Sequence, residues 1–262
     1  MFGPPTRLGT FGRQATLTLL ALIYAGPLLI AAGVSLQGEG LGNYWAVLSH
    51  PLIPRYFLNS VIVTASTIVI VYVITVLAAY AFSKLRIAGK GVLFTMVLVG
   101  LMIPGIALVV PLFLLVKDLR LFDNYLAMIV PISAFTLPFT ILLMRNFLDG
   151  LPNELLDAAR IDGSNSFTTL LWIVLPLSKP ISIVVIVWTF LGAWNEYFLA
   201  LVFMRDESKQ VLTQAPQFFT DVYGQDTGKI FATLVLISLP AVITYLTLQR
   251  YFEDGLVSGS IK

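Results

Sequence analysis

The sequence has no cysteine and a single histidine in 262 residues, and only 11% of it is charged. Without thiols there is no disulfide framework, no zinc-thiolate or iron-sulfur site and no thiol nucleophile. His50, alone ahead of Pro51, offers neither a metal cluster nor a catalytic pair and reads as a solvated loop residue. An intramembrane enzyme would need paired Asp, Ser with His or a metal-binding His cluster, and the chain lacks His-Glu-x-x-His as well. A formal net charge of +2 gives no clustered basic footprint for nucleic acid. A soluble domain of this size carries about 25% charged residues, so most of this surface is not built for water.

What fills the chain instead is hydrocarbon: 58% of residues are apolar, and the mean hydropathy is +0.90. Crossing about 30 Å of bilayer takes about 20 helical residues nearly free of charge. The pairs Arg13/Glu39, Arg55/Lys84, Lys90/Lys117, Asp123/Arg145 and Lys229/Arg250 enclose 25, 28, 26, 21 and 20 uncharged residues. A sixth apolar stretch, 175–204, contains one acid, Glu196. Barrel strands alternate apolar and polar positions, whereas Ile68 to Ala81 is apolar on both faces. The expectation is an all-α polytopic membrane protein with six transmembrane helices, at 14–36, 57–82, 91–116, 124–144, 175–204 and 230–249. The first apolar stretch exceeds a signal-peptide core and is read as retained.

Six spans place both termini on one side. With the termini inside, inner segments hold ten Lys and Arg and outer segments six, the tightest inner group being Lys84, Arg86 and Lys90. Both termini are therefore expected to be cytoplasmic. The residues 145–174 then form the longest inner polar stretch. Pro152, Asn153 and Glu154 open a short helix, with Glu154 and Asp157 at the favourable end of its dipole. Gly163 suits a left-handed stop, and Ser164, Asn165 or Ser166 can cap a second helix over Phe167 to Trp172. Pro176 and Pro180 follow at the start of the fifth span.

Asp157-Ala158-Ala159, three residues, Gly163, nine residues, then Ile173-Val174-Leu175-Pro176 closely resembles the signature loop of permease subunits in ATP-binding-cassette importers. That loop reads Glu-Ala-Ala, three residues, Gly, nine residues, Ile, any residue, Leu-Pro; Asp157 departs from it by one methylene. Asn59-Ser60, Ala193-Trp194-Asn195-Glu196-Tyr197-Phe198 and the end from Gln249 to Lys262 resemble the carbohydrate-importing branch. The resemblance implies one permease domain over 1–262, with a cytoplasmic helix-turn-helix coupling loop at 145–174 and a tail at 250–262. It implies two copies of a cytosolic ATPase holding ATP and Mg, a second permease subunit as hetero-dimer partner, an extracytoplasmic solute-binding protein, and a prokaryotic inner or plasma membrane location. No phosphate loop of the Gly, four residues, Gly-Lys-Ser/Thr kind occurs in the chain itself.

By that resemblance Glu154, Asp157, Arg160 and Asp162 supply the polar contacts to the ATPase. Ala158, Ala159 and Gly163 set the close fit, Ser164 is counted among the coupling residues, and Ile173, Leu175 and Pro176 tie the elbow to the fifth helix. Ser260, Ile261 and Lys262 are either tail contacts to the ATPase or a frayed end. Asn59, Trp194, Asn195, Glu196 and Tyr197 are candidates for the pathway or its gate. An acid within an apolar span usually faces a bundle interior or an aqueous cavity, and the alternative for Glu196 is a carboxylate hydrogen-bonded to a neighbour. Pro104, Pro111, Pro131 and Pro138 are read as kinks, either hinges or static shape. Arg205 to Lys229 either faces a binding protein or covers the bundle. A secondary transporter or channel would fit six helices equally well, but the signature loop separates the two readings.

Overall fold

A computed structural model describes residues 7–221 and 224–257, with side chains described over 11–220 and 224–248. Helices dominate. They are α1 (Arg7–Val34), α2 (Gly42–Leu48), α3 (Ile53–Lys84), α4 (Lys90–Val99), α5 (Val109–Asp118), α6 (Leu126–Asp149), α7 (Asn153–Ile161), α8 (Ser166–Thr169), α9 (Leu175–Leu177), α10 (Lys179–Trp194), α11 (Phe198–Phe203) and α12 (Thr227–Val257). A two-residue antiparallel ladder pairs β1 (Thr220–Asp221) with β2 (Gly224–Gln225).

Four helical stretches are long and apolar enough to cross a membrane: Phe11–Val34, Ile53–Lys84, Leu126–Asp149 and Thr227–Leu248. Two bent pairs pass the same test, Lys90–Met102 with Gly105–Asp118 at 90° and Ser166–Leu177 with Lys179–Trp194 at 82°, which raises the number to as many as six if each pair is one span. The stretch 91–116 is thus not the single helix expected. Pro104 disfavours the helical region for the residue before it, and Ile103 is extended at φ −86°, ψ 115°. Gly100 tightens the approach to this break, because a Cβ there would lie 2.9 Å from Pro138 Cγ. Pro131 and Pro138, by contrast, sit inside an uninterrupted α6. The stretch 175–204 also divides: Leu175 to Leu177 belong to the preceding arm, α10 starts with Pro180 in its first turn, and Asn195 to Tyr197 separate it from α11.

The backbone divides into two compact units. The first takes the described residues up to Ile53 together with Ala215–Ser238. Here Asn43 donates its amide to Ser35 O (2.8 Å) and Gln37 O (2.7 Å), and Lys229 pairs with Asp226 (2.9 Å) and Glu39 (3.1 Å). His50 departs from its expected solvated state: its ring stacks on Phe218 at 4.0 Å, and it is half-buried. An imidazole presents an apolar face that an adjacent phenyl ring covers well.

The second unit takes Pro54–Gln214 and the described residues from Leu239 onward. It has two apolar cores. One gathers Val63, Met128, Ile129, Ile132, Leu199, Phe203, Met204 and Val211. The other gathers Val76, Ala79, Tyr80, Met144, Leu148, Leu156, Leu170, Val174, Ile181 and Val185. Polar pairs join the same helices: Thr75 and Thr140 hydroxyls lie 2.8 Å apart, and Tyr72 donates to Ser182 Oγ at 3.0 Å. In lipid such pairs satisfy groups for which the bilayer has no partner.

Candidate functional site

The segment between α6 and α10 is assembled by local chemistry. α6 runs on to Asp149, so Arg145 is still helical. Pro152 is extended at ψ 134° and stands before α7, whose first turn carries Glu154 and whose last carries Arg160, each favourable to the helix dipole. The end of α7 is closed by two hydrogen bonds: Ser164 N–H to Ala159 O (2.9 Å) and Gly163 N–H to Arg160 O (3.1 Å). That is a Schellman closure, which places its C′ residue in the left-handed region; Gly163 has φ +83°. Asn165 then caps α8, its Oδ1 accepting from Phe167 N–H (3.0 Å) and Thr168 N–H (2.9 Å).

Leu156 and Ala159, three apart on one face, are the buried residues of α7. Leu156 enters the core of Met144, Leu148, Leu170 and Val174, and Leu175 packs against it. At the chain's other approach, Lys84 at the end of α3 donates to Leu151 O (2.8 Å) and Asn153 Oδ1 (3.1 Å), and Ser83 donates to Asp149 Oδ1 (2.6 Å). The segment is therefore moored on both sides. Glu154, Asp157, Ala158, Arg160, Asp162 and Gly163 stand exposed, Ser164 and Ile173 are half-buried and Pro176 is exposed, while Ala159 faces inward. Asp157 and Arg160 pair at 2.9 Å, an exposed contact of little energetic weight. The sequence reading missed the apolar part of this surface: Ile161 is 87% exposed and Phe167 62%. A signal was present, since Ile161 lies off the Leu156–Ala159 stripe of an amphipathic helix.

The pathway candidates fall into two places. Asn59 is buried; its amide donates to Ser208 O (3.0 Å) and Gln210 O (2.7 Å), and its carbonyl accepts from Tyr125 OH (2.7 Å). Tyr56 OH donates to Gln210 Oε1, and Leu212 N–H donates to Ser60 Oγ (2.8 Å). This end of α3 is stitched to the loop after α11. Glu196 lies elsewhere: its carboxylate accepts from Leu199 N–H (2.8 Å) at the start of α11 and its carbonyl accepts from Thr213 OH (2.9 Å). It is thus a helix-start carboxylate in an interruption rather than an acid within a continuous span. It also lines a cavity of about 230 Å³ with Gly105, Ile106, Val109, Phe135, Phe198 and Leu199. Trp194 is buried and stacks on Phe190 at 5.6 Å, Asn195 Nδ2 donates to Leu191 O (2.9 Å), and Tyr197 is exposed. Ser260, Ile261 and Lys262 lie outside the described residues. Among those described, no group of three or more His, Asp or Glu is placed to hold a metal ion.

Residues 72–258 match the family described as binding-protein-dependent transport system inner membrane component. The chain belongs to that family. It is 38% identical over 210 residues to the probable ABC transporter permease protein YurM of Bacillus subtilis, covering 80% of this chain and 70% of the relative. It is 34% identical over 225 residues to the trehalose/maltose transport system permease protein MalG of Thermococcus litoralis, covering 85% and 81%. Among solved structures, it resembles a bacterial ABC transporter involved in the import of the acidic polysaccharide alginate, with a TM-score of 0.81, 25% identity, and 96% and 99% of the two chains covered. The matched span takes in both bent pairs and the α6–α10 segment. The chain is accordingly a multi-pass permease subunit of a prokaryotic inner membrane and performs no catalysis itself.

Proposed function

We propose that this chain is one of two permease subunits in an ATP-driven importer of a sugar or sugar-like solute. In this reading six spans cross the membrane, both termini are cytoplasmic, and the α6–α10 segment is the coupling loop. Two ATPase copies carrying ATP and Mg dock there, and an extracytoplasmic solute-binding protein delivers the cargo. The observation that carries it is the elbow: one face of α7 is fixed in the core through Leu156, its flank leaves Asp157 and Arg160 exposed, and its far side and end present Ile161 and Asp162 beside a Gly163 turn. A rigid piece held in this way passes on a displacement rather than absorbing it, as in rigid-body switching. The sugar class is supported by relatives named for diacetylchitobiose uptake, trehalose/maltose transport and melibiose/raffinose/stachyose import. Glu196, Trp194, Asn195 and Tyr197 at the α10–α11 interruption would border the pathway, and Asn59 would brace its outer end.

Affinity purification from the native membrane in mild detergent tests this. Recovery of a cytosolic ATPase and a second permease, with the ATPase lost on Gly163→Asp, is the expected result. A Cβ added at Gly163 would meet nothing within 4 Å, but the residue's φ of +83° disfavours any side chain, so the substitution strains the turn and blocks docking without clashing internally. A chain that purifies alone and moves solute under an ion gradient without ATP would overturn the proposal.

A further inference from the structure

Between the end of α3 and the elbow lies a polar cavity of about 270 Å³, lined by Ser83, Lys84, Leu85, Arg86, Lys90, Asn153, Leu156, Asp157 and Arg160. Its lining is mostly cationic, although the Asp149 and Glu154 carboxylates just outside it also act on Lys84. Four cations, Lys84, Arg86, Lys90 and Arg160, converge on it against the single carboxylate of Asp157, which Arg160 already engages at 2.9 Å. Lys84 is committed to Leu151 O and Asn153 Oδ1, and the Lys90 ammonium reaches only a long 3.4 Å contact to Leu85 O. Among the described residues Arg86 has no hydrogen bond or ion pair. Like charges gathered in this way repel one another, and the fold holds them together by the Lys84 mooring and by the buried Leu156 of α7.

We infer that this cavity is a binding site for a phosphate-bearing anion, most directly the headgroup of an anionic phospholipid. Three observations support it. The excess of unpaired N–H donors is what a phosphate oxygen set satisfies, with Arg86 able to approach in its bidentate geometry. The volume accommodates one phosphate group. The location is where a span ends and the next begins, the depth at which basic pockets on the cytoplasmic side meet headgroups. The cytoplasmic placement rests on the function proposed above. Because Asn153, Leu156, Asp157 and Arg160 belong to α7, an occupant would bridge the elbow to the α3–α4 turn and stiffen their mutual position.

The test uses the intact purified transporter with native mass spectrometry, adding phosphatidylglycerol, phosphatidylcholine or inorganic phosphate. Wild type should retain phosphatidylglycerol in preference to phosphatidylcholine. Arg86→Gln with Lys90→Gln should weaken that retention roughly thirtyfold, about fivefold for each cation removed near a membrane surface. Lys117→Gln with Arg120→Gln, two charges removed elsewhere, should leave it unchanged. Retention that survives millimolar phosphate assigns the site to lipid. Binding of inorganic phosphate without lipid preference, lost in the Arg86/Lys90 variant, assigns it to the free anion; both uphold the site. Equal retention of both lipids with no phosphate binding overturns it, as does retention the Arg86/Lys90 variant leaves intact. Retention that appears only after the ATPase is stripped away also overturns it, because an acidic side chain of the partner then fills the cavity. ATPase co-purification is scored in the same sample, so absence of both lipid preference and phosphate binding with the ATPase present refutes this site alone, whereas lipid retention by a chain that never recovers any ATPase refutes the coupling role alone.

Discussion

The Lys84 ammonium and the Leu151 carbonyl, 67 residues apart in the chain, are joined by a 2.8 Å hydrogen bond that fixes the elbow to the end of α3. Lys84→Met keeps the aliphatic stem and removes both this bond and the one to Asn153. Hydrogen bonds to a charged donor contribute about 1.5–3 kcal/mol, so thermal unfolding should register a loss of about 2 kcal/mol. Hydrogen exchange should rise selectively at Leu151 to Leu155. Unaltered exchange there would show that Leu156 alone holds the elbow.

Asn165→Ala removes the acceptor for Phe167 and Thr168 N–H. Loss of such a cap costs about 1 kcal/mol. The amides of Phe167 and Thr168 should exchange faster, while Asn165→Asp should keep them protected.

Asp123 has φ +58°, and its Oδ1 accepts from Arg205 N–H (2.6 Å) and Asp206 N–H (2.8 Å). Asn tolerates that backbone region and keeps an acceptor, whereas Ala does neither. Asp123→Ala should destabilise the protein by about 2–3 kcal/mol, and Asp123→Asn by less than half as much. Equal losses in the two variants would place the effect in charge rather than in hydrogen bonding.

The loop beyond Asp123 should respond to acid. Hydrogen bonds from the Ser208 hydroxyl and backbone N–H hold the Asp206 carboxyl below its ordinary value of 3.8. A carboxyl depressed in the folded state stabilises it fully above the unfolded value, and the contribution is lost as pH falls through the folded one. Exchange at Ser208 and Lys209, taken relative to the intrinsic amide rate at each pH, should thus be flat from neutral pH down to about 4, then rise on further acidification. Ser208→Ala should move that rise to higher pH.

Pro152 and Gly163 were legible in the sequence because a proline and a glycine act on their own backbone within a few residues, whereas Asn165 was one of three candidates for the cap, beside Ser164 and Ser166. Pro104 was legible as a disturbance, but not as a 90° break, because the outcome depends on Ile103 becoming extended and on Gly100 meeting Pro138. Of Ala158 and Ala159 the sequence could not tell which faces inward; that depends on Met144 and Leu148 beneath the helix. Asn59 shows the limit most clearly. Its partners Ser208 and Gln210 lie 149 and 151 residues away, and no local pattern announces them. Glu196 sat in an apolar run by count, yet its role at the start of α11 required knowing that the helix stops at Trp194.

The 90° break at Ile103 and Pro104 makes a demand on whatever surrounds it. It lies about 18 Å along a helix from Lys90, which on the six-span reading proposed above is hydrocarbon depth, and it interrupts the ladder of backbone hydrogen bonds. Met102 and Ile106 beside it are 81% and 69% exposed. Acyl chains would welcome those two side chains and leave the interrupted amides unanswered; water would answer the amides and be repelled by the side chains. At this one stretch neither of a membrane protein's two solvents suffices.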